Sequence, residues 1–285
     1  MMKKIAVIND LSGLGRCSLT AAISVLSSMG VHPCPLPTAI LTAQTEYPSY
    51  YCDDYTDKME IYRSEWLKLD QHFDGIYTGY VASVSQIQQI FHFIDTFKEP
   101  GTFLLVDPVM GDDGQTYDMY TSELLEQMKQ LVLRADIITP NLTEFCLLTD
   151  TDYAEIMQSG LSDKEFIKEL RNLGQNLCQS SPKKIIITGI HTTDQDGTPQ
   201  IGNLYLGNAE PYFIAFPYIG GHYSGTGDLF ASCIAAGIAR GDKLPDLIFT
   251  AGNFLEYALK DSVKEQIPYN DGVNYEKFLS LLMPV

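Results

Sequence analysis

The chain has 285 residues, 45% of them hydrophobic and 19% charged, which is ample for a core and too apolar for a disordered chain. Its formal net charge of −17 gives a surface that repels polyanions and argues against nucleic acid and anionic membranes as partners. A single phosphate ligand stays open, because it needs a local nest of N–H donors and a metal rather than a basic protein.

In chain order, Ile5-Ala6-Val7-Ile8 opens a strand at 5–9 that Asn9-Asp10 closes. The run is too short for a signal peptide, and no apolar segment reaches the length that spans a bilayer. A helix is expected at 17–29, a strand at 31–40, a helix at 57–69 and a strand at 75–78. A helix at 84–96, a strand at 103–107, a helix at 121–133 and a strand at 137–139 continue the alternation. Helices at 142–149 and 163–178 precede a strand at 184–188. Continuous apolar runs such as Phe103-Leu104-Leu105-Val106 suit strands of a parallel sheet covered on both faces. Strand–helix alternation implies right-handed βαβ units.

The order then changes. Strands at 201–205 and 212–216 are separated by Gly207-Asn208-Ala209-Glu210, a hairpin signal and so an antiparallel edge. Helices at 226–240 and 245–259 follow, with a last one at 275–282. No Pro/Gly/Ser linker divides the chain, so the expectation is a single α/β domain over 1–285. Its sheet is mostly parallel and central, with helices on both faces and an antiparallel hairpin near 201–216. The six scattered cysteines hold no C-x-x-C pair, which argues against zinc and a disulfide framework and for a reducing, cytoplasmic setting.

Ligands of open α/β sheets sit beyond the carboxyl ends of the strands. Asn9-Asp10, Thr78-Gly79-Tyr80, Asp107, Thr139-Pro140-Asn141 and Thr188-Gly189 all fall at such ends. Each alone reads as an ordinary loop; five in one sheet read as a cleft.

Three motifs carry chemistry. Gly220-Gly221-His222-Tyr223-Ser224-Gly225-Thr226-Gly227-Asp228 is a glycine-rich turn entering a buried helix rich in small residues. Glycines let backbone N–H groups converge on an anion, and the helix dipole adds positive charge there. Asp228 reads as an N-terminal charge partner or as the acceptor of a proton from an attacking hydroxyl. Asp107-Pro108-Val109-Met110-Gly111-Asp112-Asp113-Gly114 ends a strand in carboxylates of the kind magnesium takes, with Asp113-Gly114 as a plain turn. In Thr139-Pro140-Asn141-Leu142-Thr143-Glu144, Asn141 fits a helix N-cap and Glu144 completes a capping box, which needs no ligand.

Taken together and in this order, the three motifs resemble the ribokinase-like superfamily, and within it the vitamin B6 kinases and the related hydroxymethylpyrimidine phosphate kinases. The likeness runs from Ile5 to about Leu259. It implies ATP-dependent transfer of phosphate to the hydroxymethyl group of a small heterocyclic alcohol such as pyridoxal, pyridoxine or pyridoxamine. Asp228 would be the catalytic base, and Gly225, Thr226 and Gly227 the anion hole. Glu144, and through water Asp107, would hold Mg²⁺. Asp112, Tyr117, Asn141 and Thr188 would lie against ATP. Thr38 and Tyr80 match pocket positions of the B6 kinases. Asp10 replaces their usual serine, and Gln44 in Thr42-Ala43-Gln44-Thr45 is closer to the pyrimidine kinases, whose glutamine reads the heterocycle. An ionised Asp10 would favour an aminated substrate. A homodimer is one assembly the resemblance allows.

Gly13-Leu14-Gly15-Arg16-Cys17-Ser18 resembles a dinucleotide fingerprint but has Ser18 at the third glycine and lacks the acidic ribose partner, so it reads as a substrate-side turn. Histidines at 32, 72, 92, 191 and 222 lack metal-ligand spacing. The Phe91, Phe93 and Phe97 series reads as packing, and Trp66, on an amphipathic helix, as packing or a subunit contact. Two rivals remain at this stage: a hydroxymethylpyrimidine kinase of thiamine synthesis, and a sensor that binds nucleotide or vitamin without turnover.

Overall fold

The computed structural model describes residues 2–118, 120–178, 181–207 and 210–284. The chain divides into two compact units, Met1–Leu104 with Ile219–Val285, and Leu105–Tyr218.

The first unit begins with β1 (Lys4–Ser12), α1 (Ser18–Ser28), β2 (His32–Leu41), β3 (Cys52–Asp54), α2 (Thr56–Lys68), β4 (Gly75–Thr78) and α3 (Val84–Phe97). β1 pairs in parallel with β2 on one side and β4 on the other, and residues 5–8 of β1 have no exposed surface. That burial on both faces explains the unbroken apolar run. β2 carries Pro33, Pro35 and Pro37 at alternate positions, so the missing N–H groups fall on one side of the strand. The antiparallel β3 joins β2 only beyond them, at Ala39–Leu41. The β1–β2 register shifts between Asn9 and Leu11, where Asn9 pairs with Pro37 and Leu11 with Ile40. This bulge falls at Asp10 and Thr38, and bulges re-aim side chains near functional sites. Trp66 packs on Tyr62, Phe73 and Phe93, as its helix pattern predicts.

Strand β5 (Phe103–Val106) straddles the division. The second unit continues with β6 (Gly111–Asp112), β7 (Gln115–Thr116), α4 (Ser122–Arg134), β8 (Ile137–Ile138), α5 (Leu142–Leu148), α6 (Tyr153–Met157), α7 (Asp163–Cys178), β9 (Lys184–Thr193), β10 (Pro199–Gly207) and β11 (Tyr212–Pro217). β5, β8 and β9 pair in parallel, while β9–β10 and β10–β11 are antiparallel. The expected antiparallel edge is therefore present and one strand wider. β9 runs five residues past 188 and turns back where Asp194 Oδ1 accepts the N–H groups of Asp196 (2.9 Å) and Thr198 (2.8 Å). Gly197 takes the left-handed conformation at φ 80°. Asn208 and Ala209, in the expected β10–β11 turn, lie outside the described residues. The short β6–β7 hairpin turns at Asp113 (φ 48°) and Gly114 (φ 77°), the positive-φ pair that a tight two-residue hairpin requires.

The chain returns to the first unit with α8 (Thr226–Arg240) and α9 (Leu244–Lys264), then 3₁₀ segments at Tyr269–Asp271 and Glu276–Leu282. α9 runs five residues beyond the expected 259, because its last turn is mostly polar and gives no apolar period. No helix among the described residues is long and apolar enough to cross a membrane.

The α8–α9 contact depends on Gly237, where a Cβ would lie 2.7 Å from Leu247 Cγ. Gly237→Val should lower stability by roughly 1–3 kcal/mol through overpacking, read as a fall in denaturation midpoint, and Leu247→Ala should recover part of the loss in the double variant.

Candidate active site

In the first unit the site is built on the N-terminus of α8. Gly225 is its N-cap at φ 83°, and a Cβ there would press on the Arg16 carbonyl and lie 2.9 Å from Cys17 Cα. Only glycine meets both demands. Thr226 and Gly227 fill the first turn, whose cap makes no side-chain hydrogen bond, and nothing stands within 4 Å of a Cβ built on Gly227. The first-turn N–H groups and the helix dipole are thus arranged for an anion.

Asp228 follows in the same turn, half-buried. Its Oδ1 accepts from Asn9 Nδ2 at 3.0 Å, and the Ser18 N–H also donates to it. Burial raises its pKa to about 6; Asp10 pushes the same way, while the Ser18 and Asn9 donors offset part of the rise. Asp10 is buried and accepts from Ser12 Oγ at 3.0 Å. Burial raises its pKa, and hydrogen bonds from the Ser18 and Ser12 side chains act against that. Ser18 opens α1 at φ 50°, an uncommon angle for a residue other than glycine.

Tyr80 is half-buried, with burial and then Asp10 holding its phenol above the usual range. Thr38 is fully buried and donates to the Tyr80 carbonyl at 3.1 Å. Gln44 is buried too: its Nε2 donates to the Asn270 carbonyl at 3.2 Å, and its Oε1 accepts from Glu46 N at 2.9 Å. Asp10, Thr38, Tyr80 and Asp228 therefore come together, and Gln44 is held by a neighbouring loop. Asn9 and Ser12 were not singled out as site residues from sequence, though Asn9-Asp10 was placed at a strand end; Ser18 was noted only as the last residue of the 13–18 turn.

In the second unit the capping box expected at Asn141 is present. Asn141 Oδ1 accepts from Glu144 N at 2.9 Å and Glu144 Oε2 from Asn141 N at 2.8 Å. Glu144 Oε1 also accepts from Met110 N at 3.1 Å, and Asn141 Nδ2 donates to the Gly111 carbonyl at 2.8 Å. These bonds tie the α5 turn to the segment that carries Asp112. Asp107 is buried at the end of β5 and accepts from Thr139 Oγ1 at 2.8 Å. Burial, and then the negative charge of Asp107, push the Glu144 pKa well above the usual carboxylate range. Thr188 bridges Asn141 and donates its N–H to the Pro140 carbonyl at 2.9 Å. Tyr117 is exposed after β7, its N–H bonded to the Met110 carbonyl at 3.0 Å.

Among the described residues no three His, Cys, Asp or Glu side chains form a metal cage. The donor set still fits Mg²⁺, which takes one or two carboxylates and fills its shell with water and phosphate oxygens. The repulsion that raises the Glu144 pKa beside Asp107 is what a divalent cation relieves.

A family model described as phosphomethylpyrimidine kinase matches residues 15–272. The chain belongs to this kinase family. It is a phosphotransferase with an alcohol as acceptor. A Bacteroides thetaiotaomicron protein assigned as a phosphomethylpyrimidine kinase, crystallised with pyridoxal, is 38% identical to the kinase, with TM-score 0.88 over 100% of this chain and 97% of that one. Pyridoxal kinase from Lactobacillus plantarum is 29% identical, with TM-score 0.84 over 99% and 97%. The Bordetella avium pyridoxine/pyridoxal/pyridoxamine kinase is 25% identical over 90% of this chain and 86% of that protein. Another curated relative, from Schizosaccharomyces pombe, matches at 29% identity over 46% of its own length, so the kinase spans about half of that protein in the match.

The raised pKa of Asp228 has a consequence for stability. The folded kinase binds this proton more tightly than the unfolded chain, so stability falls as pH rises from the ordinary carboxylate range through about 6. Asp228→Asn removes that loss. Its melting temperature should exceed that of wild type at about pH 8, and the two should converge near about pH 4, measured by thermal denaturation across pH.

Proposed function

We propose that the kinase transfers the γ-phosphate of ATP to the hydroxymethyl group of a vitamin B6 vitamer. The observation that carries this reading is the likeness, over the whole chain, to a protein crystallised with pyridoxal. The description of the family model favours a second reading, a hydroxymethylpyrimidine (phosphate) kinase. Both acceptors are heterocycles bearing a hydroxymethyl group, and one transfer chemistry serves either.

Asp228 is the general base. Its carboxylate takes the proton of the hydroxymethyl group as that oxygen attacks the γ-phosphorus in line and ADP leaves. The donors from Asn9 and Ser18 aim the carboxylate, and the raised pKa brings proton affinity close to working pH. Gly225, Thr226 and Gly227 offer N–H groups to the negative charge on the transferring phosphoryl. Asp107 and Glu144 would hold Mg²⁺, which when bound would supply charge neutralisation on the phosphates. Asp112, Tyr117, Asn141 and Thr188 line the ATP side. Thr38, Tyr80, Gln44 and Asp10 line the acceptor side, where the Asp10 carboxylate selects an aminated ring.

Asp228→Asn should cut kcat by roughly 10²–10⁴ with the fold retained, and full activity there would overturn the assignment. In wild type, kcat should rise with pH through about 6, because the base acts ionised. Turnover of pyridoxal, pyridoxamine and hydroxymethylpyrimidine side by side, with Asp10→Ser as control, decides the acceptor. The expected outcome is a vitamer preference that shifts away from pyridoxamine in the variant. Faster turnover of the pyrimidine would establish the second reading.

A further inference from the structure

Asn9 lies within β1, beside its bulge, with no exposed surface. Its Oδ1 accepts two backbone N–H groups, from Asp10 at 3.0 Å and from Tyr80 at 2.8 Å. An amide oxygen has two lone pairs and no proton, so these two donors fix which way the side chain points. The NH₂ must then face the other way, and there Nδ2 meets Asp228 Oδ1 at 3.0 Å. One planar group therefore joins β1, the strand end that follows β4, and the first turn of α8.

The neighbouring backbone is shaped around this amide. A Cβ on Gly79 would lie 2.6 Å from Asn9 Cγ, so the close passage of the chain beside it requires glycine. Gly79 is not in the left-handed region, so alanine is free of backbone strain there. The three atoms nearest such a Cβ all belong to the Asn9 amide. That gives a reason for Thr78-Gly79-Tyr80 that neither strand formation nor turn geometry supplies.

We propose that Asn9 is a positioning residue for phosphoryl transfer, its amide locking the Asp228 carboxylate in register with the backbone of Asp10 and Tyr80. The proposal rests on the reading of Asp228 as the base. Pinned by Asn9, the carboxylate is presented in one orientation, and the strand ends that carry Asp10 and Tyr80 are held to the same group. A donor aimed at the carboxylate also favours its ionised, proton-accepting form. The other titratable groups facing Asp228 are Asp10 from β1 and Cys17 just before α1.

The test is Asn9→Asp, which keeps an oxygen for both backbone N–H groups and replaces only the donor to Asp228 with a second acid. Two carboxyls in contact titrate as a pair with one step raised. The acid limb of kcat should move up by about one pH unit or more, with kcat at neutral pH down roughly tenfold and KM for ATP nearly unchanged. In an Asp228→Asn background the same substitution should alter the residual rate by less than about twofold, because Asn9 acts through the base. Gly79→Ala, which leaves both side chains chemically intact and displaces the amide, should lower kcat in the same direction. It carries the decision should Asn9→Asp not fold. An inactive Asp228→Asn beside an Asn9→Asp, or failing that a Gly79→Ala, with wild-type kcat and acid limb overturns the proposal alone. Full activity in Asp228→Asn overturns the base assignment and the proposal with it.

Discussion

A buried amide has to satisfy its oxygen and its nitrogen inside the protein, and at Asn9 that requirement organises the first unit. Its oxygen takes the N–H groups of Asp10 and Tyr80, and its nitrogen takes the carboxylate of Asp228. Leaving either end unpaired would cost about 1–3 kcal/mol, so three chain segments far apart in sequence are held to one geometry. The β1–β2 bulge falls beside that meeting point, and the glycine at 79 leaves room for it. The half-buried Asp228 is the group that results, with its pKa lifted toward neutrality.

The second unit solves a related problem with a different residue. Glu144 is buried, and its carboxylate accepts from Asn141 and Met110. It caps a helix and orders the segment leading to Asp112 in one stroke. It also sits beside Asp107, and burial with that charge drives its proton affinity up. Stability alone would disfavour two acids so placed, since each raises the cost of ionising the other. A cap that needs no ligand and an acid pair that favours a cation coexist in one side chain. Structural and functional readings of the motif are therefore compatible.

Much of this was legible in the chain. The runs at 5–8, 103–106 and 185–187 announced parallel strands, because burial on both faces removes the alternation that an exposed face would impose. The helix at 226–240 was read to the residue, since small-residue packing ran to its ends. The capping box at Asn141 was readable because both partners lie within one turn. The return of β9 into β10 was missed, because its Asx turn at Asp194 lies in a polar stretch that reads as loop. β3 is three residues long and wholly exposed, so neither length nor hydropathy marked it.

By itself the sequence determined most of the long elements, the glycine turn into α8, the Asn141–Glu144 cap and the identity of the candidate acids, because all of these are local: each depends on residues within a turn or a strand of one another. Tertiary structure alone decided that Asn9 meets Asp228, 219 positions away, that a side chain on Gly79 would run into Asn9, and that Gln44 bonds to the Asn270 carbonyl. The physical reason is that hydrogen-bond saturation of a buried group is settled by whatever the fold brings within about 3 Å of it, and no spacing along the chain encodes that.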